Sequence, residues 1–285
     1  MNKIKILILG SSGFLGSSIY NNFKNKFKIF GHSFSKDSDI KFDLLNKGEV
    51  SNYFNILDPD IIINCVALAD VDLCEINQKI AYNLNVNVVK NIIRFKKKET
   101  WLIHFSTDHV YDENILNNED NTNLSNYYSK TKFESEEYVL RGKGLILRTN
   151  FFGKSFNLNK QSFNEWIEFN LKNNINFNIV RDIFFSPISL ETLKNRLEVI
   201  IKKFYLMDGI YNIGSSTYMS KYDFAIKVME NLNGFDKGLY KAIDSEKLFK
   251  TYRPKYMQMN NNKISKIIGE LPSLEEEINT IYNGN

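Results

Sequence analysis

The chain predicts an α/β fold, a doubly wound parallel sheet with helices on both faces, on three observations. Its first half alternates short β-rich apolar runs with helical stretches. A glycine turn follows the first run and opens a helix. Runs such as Asp60-Ile-Ile-Ile-Asn64 are apolar at successive positions, as strands buried on both faces require.

In order, residues 4–9 form a first strand ending at Gly10, and residues 14–27 show helical spacing through Leu15, Ile19 and Phe23. A second strand is expected at 28–30 and a buried one at 60–64, after the turn signal Asp58-Pro59. Ile76, Ile80, Leu84, Val88 and Ile92 predict one helix over 75–95. Further strands are expected at 101–105 and 145–147. The second half is less regular, with helices near 162–171, 190–204 and 221–232 and short strands near 177–180 and 210–213. The stretch 114–126 is the most loop-like. The two halves are expected to form one body with a cleft between them.

Composition narrows the classes. At 285 residues and 43% hydrophobic, the chain can bury about 75% of its unfolded surface without disulfides or a structural metal. Disorder, collagen and coiled coil are disfavoured. The net charge of +4, with thinly spread lysines, argues against a nucleic-acid binder. Cys65 and Cys74 make no CxxC, which fits a reducing cytosol. His32, His104 and His109 show no zinc spacing, so no metal is expected. No apolar run approaches 18 residues, and the short run 6–9 reads as a strand rather than an export signal. A cytoplasmic protein with no membrane partner is therefore expected.

Three motifs carry chemistry. Gly10-Ser-Ser-Gly13-Phe-Leu-Gly16 lies between strand and helix, where glycines let the backbone approach a pyrophosphate and the helix N-terminus supplies N–H groups and positive dipole. A structural turn would look similar. At the end of strand two, where a carboxylate would hold the adenosine ribose of NAD, Phe30-Gly31-His32-Ser33-Phe34-Ser35-Lys36 has no acid before Asp37. His32, Ser33 and Lys36 could meet a 2′-phosphate there or be ordinary loop residues, which favours NADPH and leaves NADH open. Tyr128-Ser-Lys-Thr-Lys132 puts tyrosine and lysine on one helical face, where an ammonium lowers the phenol's pKa and makes it a usable proton donor. The spacing also arises by chance in a chain with 15 tyrosines. Thirdly, Phe105-Ser106-Thr107-Asp108 ends a strand, where doubly wound sheets bind ligands, although a turn cap reads equally well.

Taken in order, these residues resemble the extended short-chain dehydrogenase/reductases, and within them the dTDP-4-dehydrorhamnose reductase family. Asp43-Leu44, Asn64-Cys-Val-Ala67 and Val71-Asp72 with Glu75 extend the set. Phe105-Ser-Thr-Asp-His-Val-Tyr-Asp112 resembles the family's STDYVFDG, Asn126-Tyr-Tyr-Ser-Lys-Thr-Lys132 with Glu136 its YGxSKxxGE, and Leu147-Arg-Thr-Asn-Phe-Phe-Gly153 its LRTSWVYG. Among the departures, Glu113, Ser129 and Ser135 replace glycines, Phe151 replaces a substrate-contacting tryptophan, and Arg181-Asp182-Ile183 replaces an Asp-Gln pair.

The resemblance implies an NAD(P)-binding Rossmann domain at 1–150 and a smaller α/β substrate-binding region at 151–285, with interleaved segments. It implies a catalytic set of Thr107, Tyr128 and Lys132, with Thr107 orienting a substrate carbonyl. Gly10, Gly13, Phe14, Leu15 and Gly16 would hold the pyrophosphate, with Ser33 beyond them. Asp43 and Leu44 would contact adenine, and Ala67, Leu68 and Ala69 would line the nicotinamide side. Asp108 and Phe151 would touch a nucleotide-sugar substrate.

The activity so implied is NAD(P)H-dependent reduction of a 4-keto-6-deoxy sugar nucleotide, for deoxysugar and surface polysaccharide synthesis. A dehydratase or epimerase on the same scaffold is the nearest alternative, and His109 stands where dehydratases carry a second acid. A non-catalytic regulatory subunit is the alternative from another class. A homo-oligomer is left open. The bland readings elsewhere are that Asp72 and Glu75 begin a helix, that Cys65 is a small buried hydrophobe, and that Arg253-Pro254 is surface as readily as a phosphate contact.

Overall fold

Lys5–Leu9 forms β1, apolar and buried from Ile6 onward because a strand pairs on each side of it. Ile6 lies between Ile29 and Ile61, and both pairings are parallel. This is a computed structural model, and it describes residues 3–34, 38–154, 156, 161–232 and 237–283. After β1 come α1 (Phe14–Phe23), β2 (Lys28–Ser33), β3 (Ile40–Lys41), α2 (Lys47–Leu57) and β4 (Ile61–Asn64). Then follow α3 (Val71–Ile76), α4 (Gln78–Tyr82), a π-helical turn (Asn83–Asn87), α5 (Val88–Phe95), β5 (Trp101–Thr107), α6 (Tyr127–Arg141) and β6 (Leu145–Thr149).

The later elements are shorter: β7 (Phe151–Phe152), α7 (Phe163–Lys172), β8 (Phe177–Val180), β9 (Phe184–Phe185), β10 (Ile188–Ser189) and α8 (Leu190–Lys203). After these come β11 (Gly209–Ile213), β12 (Met219–Ser220), α9 (Lys221–Glu230), β13 (Tyr240–Ile243), α10 (Ser245–Leu248), β14 (Tyr256–Met257), α11 (Asn262–Ile268) and α12 (Leu274–Asn283). The main sheet has seven strands in the order β11-β6-β5-β4-β1-β2-β3, the Rossmann-type doubly wound arrangement expected.

The chain divides into two units. The first comprises Met1–Ser106, Tyr127–Leu147 and Ile200–Ile210. Its core on one sheet face joins Leu7, Leu9, Ile62 and Leu102 to Val50 and Phe54 of α2, Val88, Val89 and Ile92 of α5, and Val139 of α6. The second comprises Thr107–Asn126, Arg148–Val199 and Tyr211–Asn285. Its core is aromatic: Phe224 meets Phe152 edge-on at 5.0 Å and stacks on Phe163 at 5.6 Å, with Phe185 beside them. Helix α7 starts at a full capping box, Ser162 with Glu165.

Several expected boundaries change. The helix expected over 14–27 ends at Phe23, and Phe27 packs edge-on against that ring at 5.3 Å. The one helix expected over 75–95 starts earlier, at Val71, where Asp70 accepts from Leu73 N–H, and it is broken at Asn77 and by the π-turn. Ile76 and Ile80 are accordingly exposed, at 75% and 52%, and do not share the buried stripe of Val88 and Ile92. The strands expected at 28–30 and 145–147 run on to Ser33 and Thr149. Helix α2 was not anticipated. Its signal was Asn46, whose side chain accepts from Gly48 and Glu49 N–H.

Candidate active site

The glycine turn follows β1. Gly10 adopts φ 81°, and its N–H and that of Ser11 donate to the His32 carbonyl at 3.0 and 2.8 Å. A Cβ on Gly16 would stand 2.2 Å from the Gly10 carbonyl oxygen, so α1 packs onto the turn only with glycine there. Gly13 caps α1 without a side-chain hydrogen bond. A Cβ on it would stand 3.2 Å from the Gly10 carbonyl oxygen, tighter than ordinary contact. Phe14 is half-buried and Leu15 buried in the first turn. This cradle fits a diphosphate.

Strand two places His32 in the core: it is 2% exposed, with Nε2 2.9 Å from the Phe42 carbonyl and its ring against the Phe42 ring, while its buried Nδ1 has no hydrogen-bond partner among the described residues. Ser33 is buried at the end of β2. Lys36 and Asp37 lie outside the described residues. Asp39 was not singled out, yet it folds back to accept from Gly31 N–H at 2.8 Å and the Tyr20 hydroxyl at 3.0 Å, which engages both its oxygens.

Asp43 holds its own turn, accepting from Leu45 N–H at 2.8 Å, while buried Leu44 accepts through its carbonyl from Asn91 at 2.8 Å. Ala67, Leu68 and Ala69 follow β4. Leu68 is pinned there by Asn85, which accepts from its N–H at 2.8 Å and donates to its carbonyl at 3.2 Å. Asn85 also donates to Thr131 on α6 at 3.0 Å. Sequence reading missed Asn85. A π-turn at a functional position is a recurrent signal, but it is not visible in the apolar spacing.

Tyr128 and Lys132 lie one turn apart on α6, 8% and 2% exposed. Tyr128 packs with Val71, Cys74, Ala81 and Leu68. The Lys132 ammonium donates to the Phe105 carbonyl at 2.7 Å. Burial lowers its pKa to about 8, against the opposing charge of Glu136. Glu136 is buried and accepts from the Ser106 hydroxyl at 2.5 Å. Burial pushes the Cys65 thiol up despite Lys132, so it is no thiolate, as the bland reading expected. Asp72 sits in the first turn of α3, where negative charge suits the dipole.

Thr107 and Asp108 belong to the second unit. Thr107 Oγ1 accepts from His109 N–H at 3.1 Å and lies 3.4 Å from an Asp108 carboxylate oxygen. Asn150 donates to the other at 2.8 Å. Burial raises the Asp108 pKa to about 6, with Asn150 and the charge of Lys221 acting against it. Burial lowers His109 to about 3, reinforced by Lys221 and Arg253. Arg253 donates to the Thr251 carbonyl at 3.0 Å and lies over the Phe249 ring at 4.8 Å. Phe151 is half-buried in β7, opposite Ile188. Among the described residues no three His, Cys, Asp or Glu side chains are grouped to hold a metal, and no helix is long and apolar enough to cross a membrane.

Residues 4–284 match the family described as RmlD substrate binding domain. The dTDP-4-dehydrorhamnose reductase of Aggregatibacter actinomycetemcomitans is 27% identical over 239 residues, 79% of this chain and 78% of that protein. Methionine adenosyltransferase 2 subunit beta of Danio rerio is 30% identical over 142 residues, 48% of this chain and 44% of that protein. The crystal structure of dTDP-4-dehydrorhamnose reductase from Bacillus anthracis, in complex with NADP, superposes with a TM-score of 0.86 at 23% identity and covers 100% of each chain.

Proposed function

The chain belongs to the RmlD substrate binding domain family, and from that premise we propose that it is an NADPH-dependent reductase of the 4-keto group of a 6-deoxy-4-keto sugar nucleotide. One observation carries the reading: a buried ammonium, Lys132, one helical turn after Tyr128 and held on the Phe105 carbonyl. The relatives named as dTDP-4-dehydrorhamnose reductases support the substrate class.

Gly10, Gly13, Phe14, Leu15 and Gly16 would hold the diphosphate of the dinucleotide, with Asp43 and Leu44 toward adenine and Ala67, Leu68 and Ala69 toward nicotinamide. When bound, the reduced nicotinamide supplies the hydride. Tyr128 gives its phenolic proton to the ketone oxygen, which completes the alcohol. Lys132 stabilises the phenolate that remains. Thr107 is the hydroxyl that orients the substrate carbonyl, and Asp108 and Phe151 are its sugar-nucleotide contacts. Asn85 holds the Leu68 turn in place.

The test incubates the protein with 4-keto-6-deoxy sugar nucleotides and NADPH, following ketone and reduced cofactor together. One cofactor oxidised per ketone lost is expected. Product without net oxidation would move the chain to the epimerase or dehydratase class. NADPH should also bind more tightly than NADH, since no carboxylate free to hold a ribose is found among the described residues of β2. Titration of each cofactor decides this, and tighter NADH binding would overturn the preference. A second reading, a regulatory subunit, has the 30% match to a subunit beta in its favour. A folded preparation that turns over no keto sugar and binds no NADPH would favour it.

A further inference from the structure

Three buried polar side chains near Lys132 have no part in the proposed chemistry: Asn64 at the end of β4, His104 in β5 and Ser135 in α6. Their hydrogen bonds admit a consistent direction. Val66 N–H donates to Asn64 Oδ1 at 3.1 Å, so the Asn64 amide nitrogen faces His104 Nδ1 at 3.0 Å. Nδ1 accepts, which leaves the ring proton on Nε2. Nε2–H then donates to Ser135 Oγ at 3.0 Å, and the Ser135 hydroxyl donates to the Lys132 carbonyl at 2.6 Å. Burial first, and the charge of Lys132 second, hold the His104 pKa well below its ordinary value.

Packing alone does not call for this residue. Leu102, Ile103 and Phe105 flank it and are buried and apolar, and an imidazole among them is tolerated because each ring nitrogen has a partner. Ser135 stands where the family pattern carries glycine, which has no hydroxyl to join the ring to α6. The Lys132 Nζ lies 3.4 Å from His104 Nε2 and 2.7 Å from the carbonyl of the next residue, Phe105. One residue of β5 therefore reaches both the backbone and the ammonium of Lys132.

We propose that His104 is the positioning residue for Lys132: locked by Asn64 in one neutral tautomer, it fixes the turn of α6 through Ser135 and aims the ammonium along β5. The role assigned to Lys132 rests on the reductase reading, whereas the hydrogen bonds do not. Besides His104, the groups that act on Lys132 are Glu136 from its own helix and Cys65 after β4, with Tyr128 one turn earlier and the Phe105 carbonyl from β5. An Nε2–H presents its positive end to the ammonium, so removing it favours the charged amine.

The test compares His104→Phe, which keeps a ring but deletes both bonds, with His104→Gln, whose amide offers an acceptor and a donor in the same order. Two readouts are taken: kcat and KM for NADPH and ketone, and the titration midpoint of Lys132 by carbon-13 NMR. In His104→Phe, kcat should fall about 10- to 100-fold with KM for NADPH nearly unchanged. The Lys132 midpoint should rise by about half a unit or more. His104→Gln should recover most of both. An unchanged midpoint and kcat in His104→Phe would overturn the proposal, as would a loss that His104→Gln fails to recover. Should His104→Phe not fold, Asn64→Leu frees Nδ1 to take the proton, and Nε2 then accepts from the ammonium. The midpoint should rise again, and no rise would overturn the proposal. A wild-type protein that reduces no keto sugar nucleotide would sink the reductase reading, and the Lys132 titration would still judge this one.

Discussion

Lys132 in the first unit and Lys221 in the second are both pushed below the ordinary lysine pKa by burial, and they are held by opposite means. Lys132 sits in a matched chain of donors and acceptors running through Phe105, His104, Ser135 and Asn64. The Lys221 ammonium lies over the rings of Phe163 and Phe185, at 5.8 and 5.7 Å. It is favoured by Asp108 and opposed by Arg253. A hydrogen-bonded chain determines where an atom sits, because its bonds are directional. A charge cluster determines a potential and leaves position loosely specified. The first arrangement suits proton transfer to one atom, and the second suits attraction of charge.

The largest effect should come from the first unit. Tyr128→Phe removes only the phenolic hydroxyl, so kcat should drop about 10²- to 10⁴-fold while NADPH affinity and folding persist. Normal turnover would break the contrast, because the matched chain around Lys132 would then serve no proton donor.

The second unit should respond in stability. The Asp108 carboxyl, 1% exposed, has its pKa raised to about 6. Relative to the unfolded chain it disfavours folding above that pH, and the penalty fades as pH falls toward the ordinary carboxylate value. Asp108→Asn should therefore stabilise the protein at neutral pH by up to about 3 kcal/mol and have little effect near pH 4. Denaturant melts at the two pH values measure this. Destabilisation at neutral pH would mean that Asp108 is stabilised by Lys221 more than burial costs it.

A smaller change sharpens the comparison. Ser162→Ala deletes the cap of α7 in the second unit and should cost about 1 kcal/mol, with no effect on the Lys132 titration. A shifted titration would show that the two units are coupled energetically.

The residues differ in how far they announced themselves. Strands β1, β4 and β5 were legible because burial on both faces demands uninterrupted apolar runs. Tyr128 and Lys132 were legible because a helix brings positions four apart together, and the structure does place them on one helix. The burial of His32 was not legible, because a histidine at a strand end looks solvent-facing and nothing local reveals that Phe42 supplies a carbonyl and a ring to bury it. His104 was readable only as an interruption of an apolar strand, and Asn64 only as the first residue of the Asn-Cys-Val-Ala motif, which says nothing of a bond to a histidine. The partners of His104, Ser135 and Asn64, lie 31 and 40 residues away from it, beyond any local pattern. In the second unit, strands of two residues carry too few positions for a period to show.

The π-turn at Asn83–Asn87 has a consequence for how this chain can change. Each residue of an α-helix advances the azimuth by about 100°. Deleting one residue from that turn would let α4 and α5 merge into a single regular helix, improving the local geometry while rotating everything before it out of phase. The anchoring of Leu68 by Asn85 thus depends on a count of residues as much as on their identities. Point substitutions can weaken that anchor, but a single-codon deletion would abolish it while leaving every remaining letter of the segment intact.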